Sequence, residues 1–279
     1  MGDGTSQSRS DIRRLLAASG LAPKKHLGQN FLTDANIVRK IADVASVDGA
    51  KVIEIGAGTG TLTSELAARA EQVVAYEVDA GLEPVLAEVV GSLGNVEVRI
   101  ADATGVDFDA VLPDGHWTLV SNLPYNVGTG IVLDALRYAP RIQCMVVMVQ
   151  REVADRMLAR KGSKVYGIPS IVVGLHAVGH IEMSVPRQVF EPPPNVDSAV
   201  VALDRIEAPP EADRAIEIAS AGFNQRRKML RRSLATTLDD PVAILEHAGI
   251  DPTRRAEDLD PIDYVEIARA EQGWAEEAM

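Results

Sequence analysis

The pattern of apolar and polar positions divides the chain into two parts with different periods. From residue 51 to about 205, short β-branched or wholly apolar runs alternate with stretches of helical period, the signature of strands joined by crossover helices. Strands are predicted at 51–55, 72–78, 95–100, 117–120 and 142–150, and helices at 61–70, 81–92, 127–138 and 151–161. The run 142–150 is apolar throughout, as expected of a central strand buried on both faces. An apolar segment reaching 178 reads as helix, and 181–185 and 198–203 read as two closing strands. Ahead of this array, Thr33-Asp34 supplies an N-cap for a helix over 35–44. Beyond the linker Glu207-Ala208-Pro209-Pro210 no strand pattern returns. Helices are predicted over 212–238, 242–248 and 261–270, with Asp240-Pro241 and Asp251-Pro252 as breaks. The expected architecture is an α/β domain over 24–206 and a small all-helical domain over 211–279, preceded by a disordered tail over 1–23 that begins rich in Gly, Ser and Asp.

Composition narrows this picture. A chain of 279 residues, 46% hydrophobic, can bury a sizeable core, so one large domain plus a small one is the natural division. No apolar run approaches the ~18 residues needed to cross a bilayer, and no secretory signal begins the chain, so a cytoplasmic location is expected. The single Cys144 excludes an internal disulfide and is expected to be a buried small hydrophobe. His176 and His180 have i,i+4 spacing without the glutamate of a zinc-hydrolase motif, and no metal site is expected. The net charge of −12 argues against indiscriminate nucleic-acid binding, so any such binding must come from local patches.

The candidate chemistry starts after the strand at 51–55, where Gly56-Ala57-Gly58-Thr59-Gly60 leads directly into a helix. Glycines permit close backbone approach, and a helix start offers free N–H groups, so this is a nucleotide-type loop. Glu77 ends the next strand, 77 − 56 = 21 residues past the first glycine. That is near the spacing of about 20 at which an acidic side chain takes a ribose hydroxyl. The dinucleotide fingerprint would need a glycine at Thr61; the glycine present is Gly60, giving E-x-G-x-G-x-G from Glu54 onward. A methyltransferase loop therefore fits better than a dehydrogenase loop. Asp102, ending the third strand, is either a turn residue or an acceptor for an adenine amine. Ser121-Asn122-Leu123-Pro124-Tyr125-Asn126 leaves the next strand as a stiff loop whose amide, carbonyl and ring could hold an exocyclic amine and its base.

Three further stretches complete the set. Lys24-Lys25-His26-Leu27-Gly28-Gln29-Asn30-Phe31-Leu32 offers little apolar surface to hold it down and is expected to order on cofactor binding. Val189-Phe190-Glu191-Pro192-Pro193-Pro194-Asn195-Val196-Asp197-Ser198 is a stiff extended loop presenting Phe190. On a helix over 212–238, Phe223, Met229, Leu230 and Leu234 would share one face and Arg227, Lys228, Arg231 and Arg232 the other. Those four cations are either a solvated face or an RNA grip; Arg226, on the apolar side, is expected to be part-buried and paired with an acid.

Taken together, Gly28 to Leu32, Glu54 to Gly60, Asn122 to Tyr125, Phe190 to Ser198 and Phe223 to Lys228 closely resemble the ribosomal RNA adenine dimethyltransferase family, in particular its small-subunit branch, over residues 24–270. The resemblance implies a Rossmann-like class I methyltransferase domain using S-adenosyl-L-methionine, followed by a helical RNA- or subunit-binding domain. It implies transfer to N6 of two adjacent adenosines in the 3′-terminal hairpin of 16S rRNA, within a pre-assembled 30S particle, by a monomer. Asn30, Leu32, Gly56, Glu77, Asp102 and Asn122 would contact the cofactor; Asn122, Leu123, Pro124, Tyr125 and Phe190 would form the catalytic site, with Tyr125 and Phe190 sandwiching the base. Arg227, Lys228, Arg231 and Arg232 would contact RNA. The competing functions are a ribosome assembly factor for which methylation is a release signal, and a large-subunit methyltransferase conferring macrolide resistance.

Overall fold

The computed structural model describes residues 7–277, with side chains described to 274. In chain order the elements are α1 (Arg9–Ala18), β1 (Phe31–Leu32), α2 (Ala35–Val44), β2 (Lys51–Ile55), α3 (Thr61–Ala67), β3 (Gln72–Glu77), α4 (Glu83–Val90), β4 (Val96–Ile100), α5 (Phe108–Val111), β5 (Trp117–Asn122), α6 (Gly128–Tyr138), β6 (Ile142–Gln150) and α7 (Arg151–Met157). There follow α8 (Ile168–His176), β7 (Ala177–Val185), β8 (Phe190–Glu191), β9 (Ser198–Arg205), α9 (Ala212–Asn224), α10 (Leu230–Ser233), α11 (Pro241–His247) and α12 (Pro261–Glu277). The chain forms two units, the first made of residues up to Ala154 plus Gly179–Arg205, the second of Asp155–Val178 plus residues from Ile206 onward.

In the first unit a seven-stranded sheet has the order β4-β3-β2-β5-β6-β9-β7. Strands β4 to β6 are parallel to their neighbours and β9 runs antiparallel to β6. The chain leaves β2 toward β3 on one side and returns to β5 on the other. The order therefore reverses between β2 and β5, and in open α/β sheets the crevice outside the carboxyl ends of the strands at such a point is where ligands bind. One apolar core joins Val38 and Ile41 of α2, Leu62 and Leu66 of α3 and Leu86 and Val90 of α4 to Val52, Val73 and Ala75 of the sheet. Cys144, on β6, is half-buried rather than buried; burial and then Asp204 push its thiol up.

Two sequence expectations are corrected in this unit. Residues 1–23 are not a disordered tail throughout: residues 1–6 lie outside the described residues, but α1 is a capped helix. Ser8 and Asp11 form a reciprocal capping box, and Ile12, Leu15 and Leu16, at i, i+3 and i+4, pack with Phe31, Leu82 and Val85. The polar start of the chain masked that three-residue stripe. The segment 24–32 is also better held than its polarity suggests. Phe31 and Leu32 are buried, β1 pairs with β8, and Lys24 and Gln29 both bond the Asp79 carboxylate, at 2.6 and 2.8 Å.

The second unit is helical, but its bounds differ from 211–279, because residues 155–178 belong to it. Gly174 of α8 lies where a side chain would meet Pro261, and the Tyr166 hydroxyl donates to the Leu259 carbonyl at 2.8 Å. The single helix expected over 212–238 is broken: α9 stops at Asn224, a turn follows, and α10 begins at Leu230. Met229 consequently leaves the apolar face and is 40% exposed. Its backbone instead bridges to Arg255, with Leu230 N–H donating to the Arg254 carbonyl at 2.7 Å.

Candidate active site

A cleft opens at the carboxyl ends of β2, β3, β4 and β5. Gly56 and Gly58, Glu77, Asp102, Asn30, and Asn122 through Tyr125 all line it. The glycine loop can lie this close only without side chains. At Gly58, with φ of +59°, a Cβ would stand 3.1 Å from the Phe31 ring. Facing it, Gly28 has φ of +68°, and a Cβ there would stand 3.3 Å from Asn126 and 3.5 Å from the Tyr125 backbone nitrogen. Tyr76, Val78, Ala101, Ala103 and Ile131 add an apolar wall near Asp102. They are invisible as site residues in the sequence because apolar positions at strand ends, and Ile131 on α6, look like core.

The acidic groups divide the work. Glu77 is buried and accepts from Gly58 N–H at 2.8 Å and Asp79 N–H at 2.9 Å; burial pushes its carboxyl up against those bonds. Asp102 is exposed and uses one oxygen for both the Thr104 N–H and hydroxyl, which hold its carboxyl below the usual range. It is thus a turn residue and a cleft residue at once. Glu54 is buried behind the loop, where desolvation pushes its carboxyl up to about 8, opposed by Thr63 and reinforced by Glu77. One of its oxygens has no hydrogen-bond partner, and it lines a smaller recess with Leu32, Gly56 and Asn122. This donor and acceptor set fits a nucleoside carrying a cationic tail: a diol for Glu77, an amine for Asp102, and a positive group for the orphaned Glu54 oxygen.

Asn122 is oriented by its neighbour. Its Nδ2 donates to the Asn30 carbonyl at 3.1 Å, and because a carbonyl can only accept, Oδ1 is turned to the other side of the amide. Asn30 therefore serves by its backbone, while its own side chain donates to the Gly28 carbonyl at 3.0 Å. Leu123 is buried and anchors the loop, its N–H donating to Met148 at 3.1 Å. The Pro124 carbonyl starts α6, accepting from Gly128 N–H at 2.8 Å and, at longer range, from Val127 N–H at 3.3 Å. Tyr125 is part-buried with its hydroxyl 2.6 Å from Ser198 Oγ.

Two candidates are not where the sequence put them. Leu32 is a core residue paired with Phe190 across the β1–β8 ladder and lines only the smaller recess. Phe190 is 0% exposed and packs in the main core, so it does not present a ring to a base opposite Tyr125. An aromatic beginning a proline-rich loop is expected to be presented by it; here β8 pairing turns it inward.

In the second unit Arg227, Lys228, Arg231 and Arg232 are all exposed, on the turn after α9 and on α10 rather than along one helix face. The Met229–Arg255 bridge brings Arg254 and Arg255 beside them, a juxtaposition no local pattern announces. Arg226 is paired: its Nε lies 2.7 Å from Glu257 and its guanidinium 5.8 Å from the Phe223 ring centre.

Comparison with known proteins agrees with this geometry. The model of the family described as ribosomal RNA adenine dimethylase matches residues 20–272. The chain is similar to "Ribosomal RNA small subunit methyltransferase A" of Geobacillus thermodenitrificans (strain NG80-2), 42% identical over 275 residues covering 92% of this chain and 94% of that one. The protein of the same name in Leifsonia xyli subsp. xyli (strain CTCB07) is 43% identical over 272 residues, covering 93% and 96%. Among solved structures, a dimethyladenosine transferase from Plasmodium falciparum superposes with a TM-score of 0.72 at 26% identity, covering 85% of this chain and 95% of that one. The 23S rRNA methyltransferase ErmE superposes with a TM-score of 0.67 at 26% identity, covering 87% and 100%. The chain belongs to the ribosomal RNA adenine dimethylase family.

Proposed function

We infer that this chain is an S-adenosyl-L-methionine-dependent methyltransferase that converts two adjacent adenosines of the 3′-terminal hairpin of small-subunit rRNA to N6,N6-dimethyladenosine. The small-subunit assignment is supported by identity above 40% to relatives with that name, against 26% to the large-subunit methyltransferase. The observation that carries the chemistry is the Asn122 amide, set by the Asn30 carbonyl at one wall of a cleft whose other walls carry Glu77 and Asp102. The chain is proposed to act as a monomer. Clustered cations on a chain of net charge −12 support a structured target, a pre-assembled 30S particle in the cytoplasm, over free nucleic acid.

S-adenosylmethionine supplies, when bound, an electrophilic methyl group. Gly56, the Glu77 carboxylate, Asp102 and the Asn30 segment would hold it, with Glu54 facing its cationic end. On the substrate side the difficulty is that the N6 lone pair of adenine is delocalised into the ring. Asn122 Oδ1 and the Pro124 carbonyl would each accept an N6 hydrogen bond, the carbonyl exchanging its longer bond from Val127 N–H for it, drawing the nitrogen toward a pyramid with its lone pair freed for in-line attack. The contribution is alignment, with acid–base help secondary. The base must leave its stack, and Tyr125 would hold one face of it. A monomethylated amine keeps one hydrogen, so a second transfer can follow; with none left the reaction ends. Arg227, Lys228, Arg231 and Arg232 would grip phosphates of the particle.

The test is mass spectrometry of rRNA after incubating unmethylated small subunits with the protein and S-adenosylmethionine. Two dimethyladenosines in the 3′-terminal hairpin are expected. Transfer to large-subunit RNA instead would overturn the assignment.

A further inference from the structure

The proline-rich segment that begins at Phe190 ends at Ser198, and that end, not the aromatic one, reaches the catalytic loop. Ser198 Oγ lies 2.6 Å from the Tyr125 hydroxyl. The serine is 0% exposed and is the first residue of β9, paired with Gln150 at the end of β6. Its neighbour Asp197 is held at both ends, its carboxylate accepting from Arg187 N–H at 3.0 Å and its carbonyl from Arg151 N–H at 3.0 Å. Ser198 is thus a fixed point on the sheet. Tyr125 is not: it sits on the loop between β5 and α6.

Stacking a base requires only the face of an aromatic ring, and phenylalanine would supply it. What a phenol adds at this position is a bond at the far end of the ring, and a bond there stops that end from swinging about the Cα–Cβ bond. Swing matters because the N6 lone pair must be aligned with the methyl donor, and an error of this kind in alignment costs rate more than affinity. We propose that Ser198 is a positioning residue for methyl transfer, fixing the place of the Tyr125 ring through the hydroxyl–hydroxyl bond, and that this is how the proline-rich segment enters the reaction. This role presupposes that Tyr125 holds the target base.

The experiment compares Tyr125→Phe, Ser198→Ala, the double variant, Tyr125→Ala and Ser198→Thr in single-turnover methylation of unmethylated small subunits, with cofactor Kd measured by equilibrium binding. Tyr125→Phe and Ser198→Ala are each expected to lower the rate about 10-fold with KM for subunits and cofactor Kd unchanged. The double variant should be no slower than the slower single one, because both remove the same bond. Ser198→Thr, which keeps a hydroxyl, should recover most of the rate. A Ser198→Ala defect with Tyr125→Phe at full rate, or additive defects, would overturn the proposal by making Ser198 a structural residue only. Full activity of Tyr125→Ala would instead sink the base-holding role itself, which separates the two failures.

Discussion

Asn122 owes its orientation to a group outside its own loop. Because the Asn30 carbonyl accepts from Nδ2, an Asn122→Asp variant would set a carboxylate oxygen against that carbonyl with no proton between them. The single-turnover rate is expected to fall by about 100-fold or more, with a smaller change in cofactor affinity, read by rapid-quench labelling beside equilibrium binding. Glu54 makes a different prediction. Its ordinary value of 4.5 is pushed up to about 8 by burial, so between those values the unfolded chain is ionised there while the folded one keeps its proton. Folding then binds a proton, and stability from this group is lost as pH rises. Glu54→Gln cannot ionise. Measured without cofactor, its melting temperature relative to the parent should rise steadily from about pH 5 to about pH 8; a difference constant across that range would refute the buried-acid account. Both residues stood out in the sequence as motif members, but the carbonyl that sets Asn122 lies 92 positions away and no spacing rule reaches it.

At the scale of elements, the segment 24–32 is a wall held by a clamp. Asp79, against the cost of its own burial, is held below the usual carboxylate range by Lys24 and Gln29. Asp79→Asn keeps the shape and removes the charge, so amide exchange of residues 24–30 should quicken by about 10-fold while exchange in β3 stays as it was, by hydrogen–deuterium mass spectrometry. The strands and crossover helices were legible in advance because each is a short, strongly patterned run whose period survives burial. α1 was missed because three apolar residues on one helical face are a weak signal beside a polar start. The broken helix after Asn224 was missed for a converse reason: Phe223-Asn224-Gln225-Arg226-Arg227-Lys228-Met229-Leu230 continues an apolar period. A tertiary bridge from Met229 to Arg255 decides the break. Phe190 shows the same limit, since whether an aromatic beside prolines faces solvent depends on which strand pairs with it.

For the whole molecule, the sign of the net charge and the placing of the cations pull in opposite directions, and salt separates them. Replacing Arg227 and Lys228 by alanine should weaken binding of small subunits and reduce the slope of log K against log salt by about 1.5, measured by filter binding over a salt series. An unchanged slope would place the phosphate contacts elsewhere. The last consequence comes from Gly28. A side chain at Gly28 would meet Tyr125 and Asn126, so the segment lining the cleft packs close to the loop proposed to hold the target, and exchanging spent donor for fresh is expected to disturb that loop. Reloading and retention are then mutually exclusive, and the enzyme should be distributive. N6-methyladenosine is expected to build up early in a time course and to be chased into dimethyladenosine by a second, independent encounter. Dilution with unlabelled subunits after the first turnover should trap it.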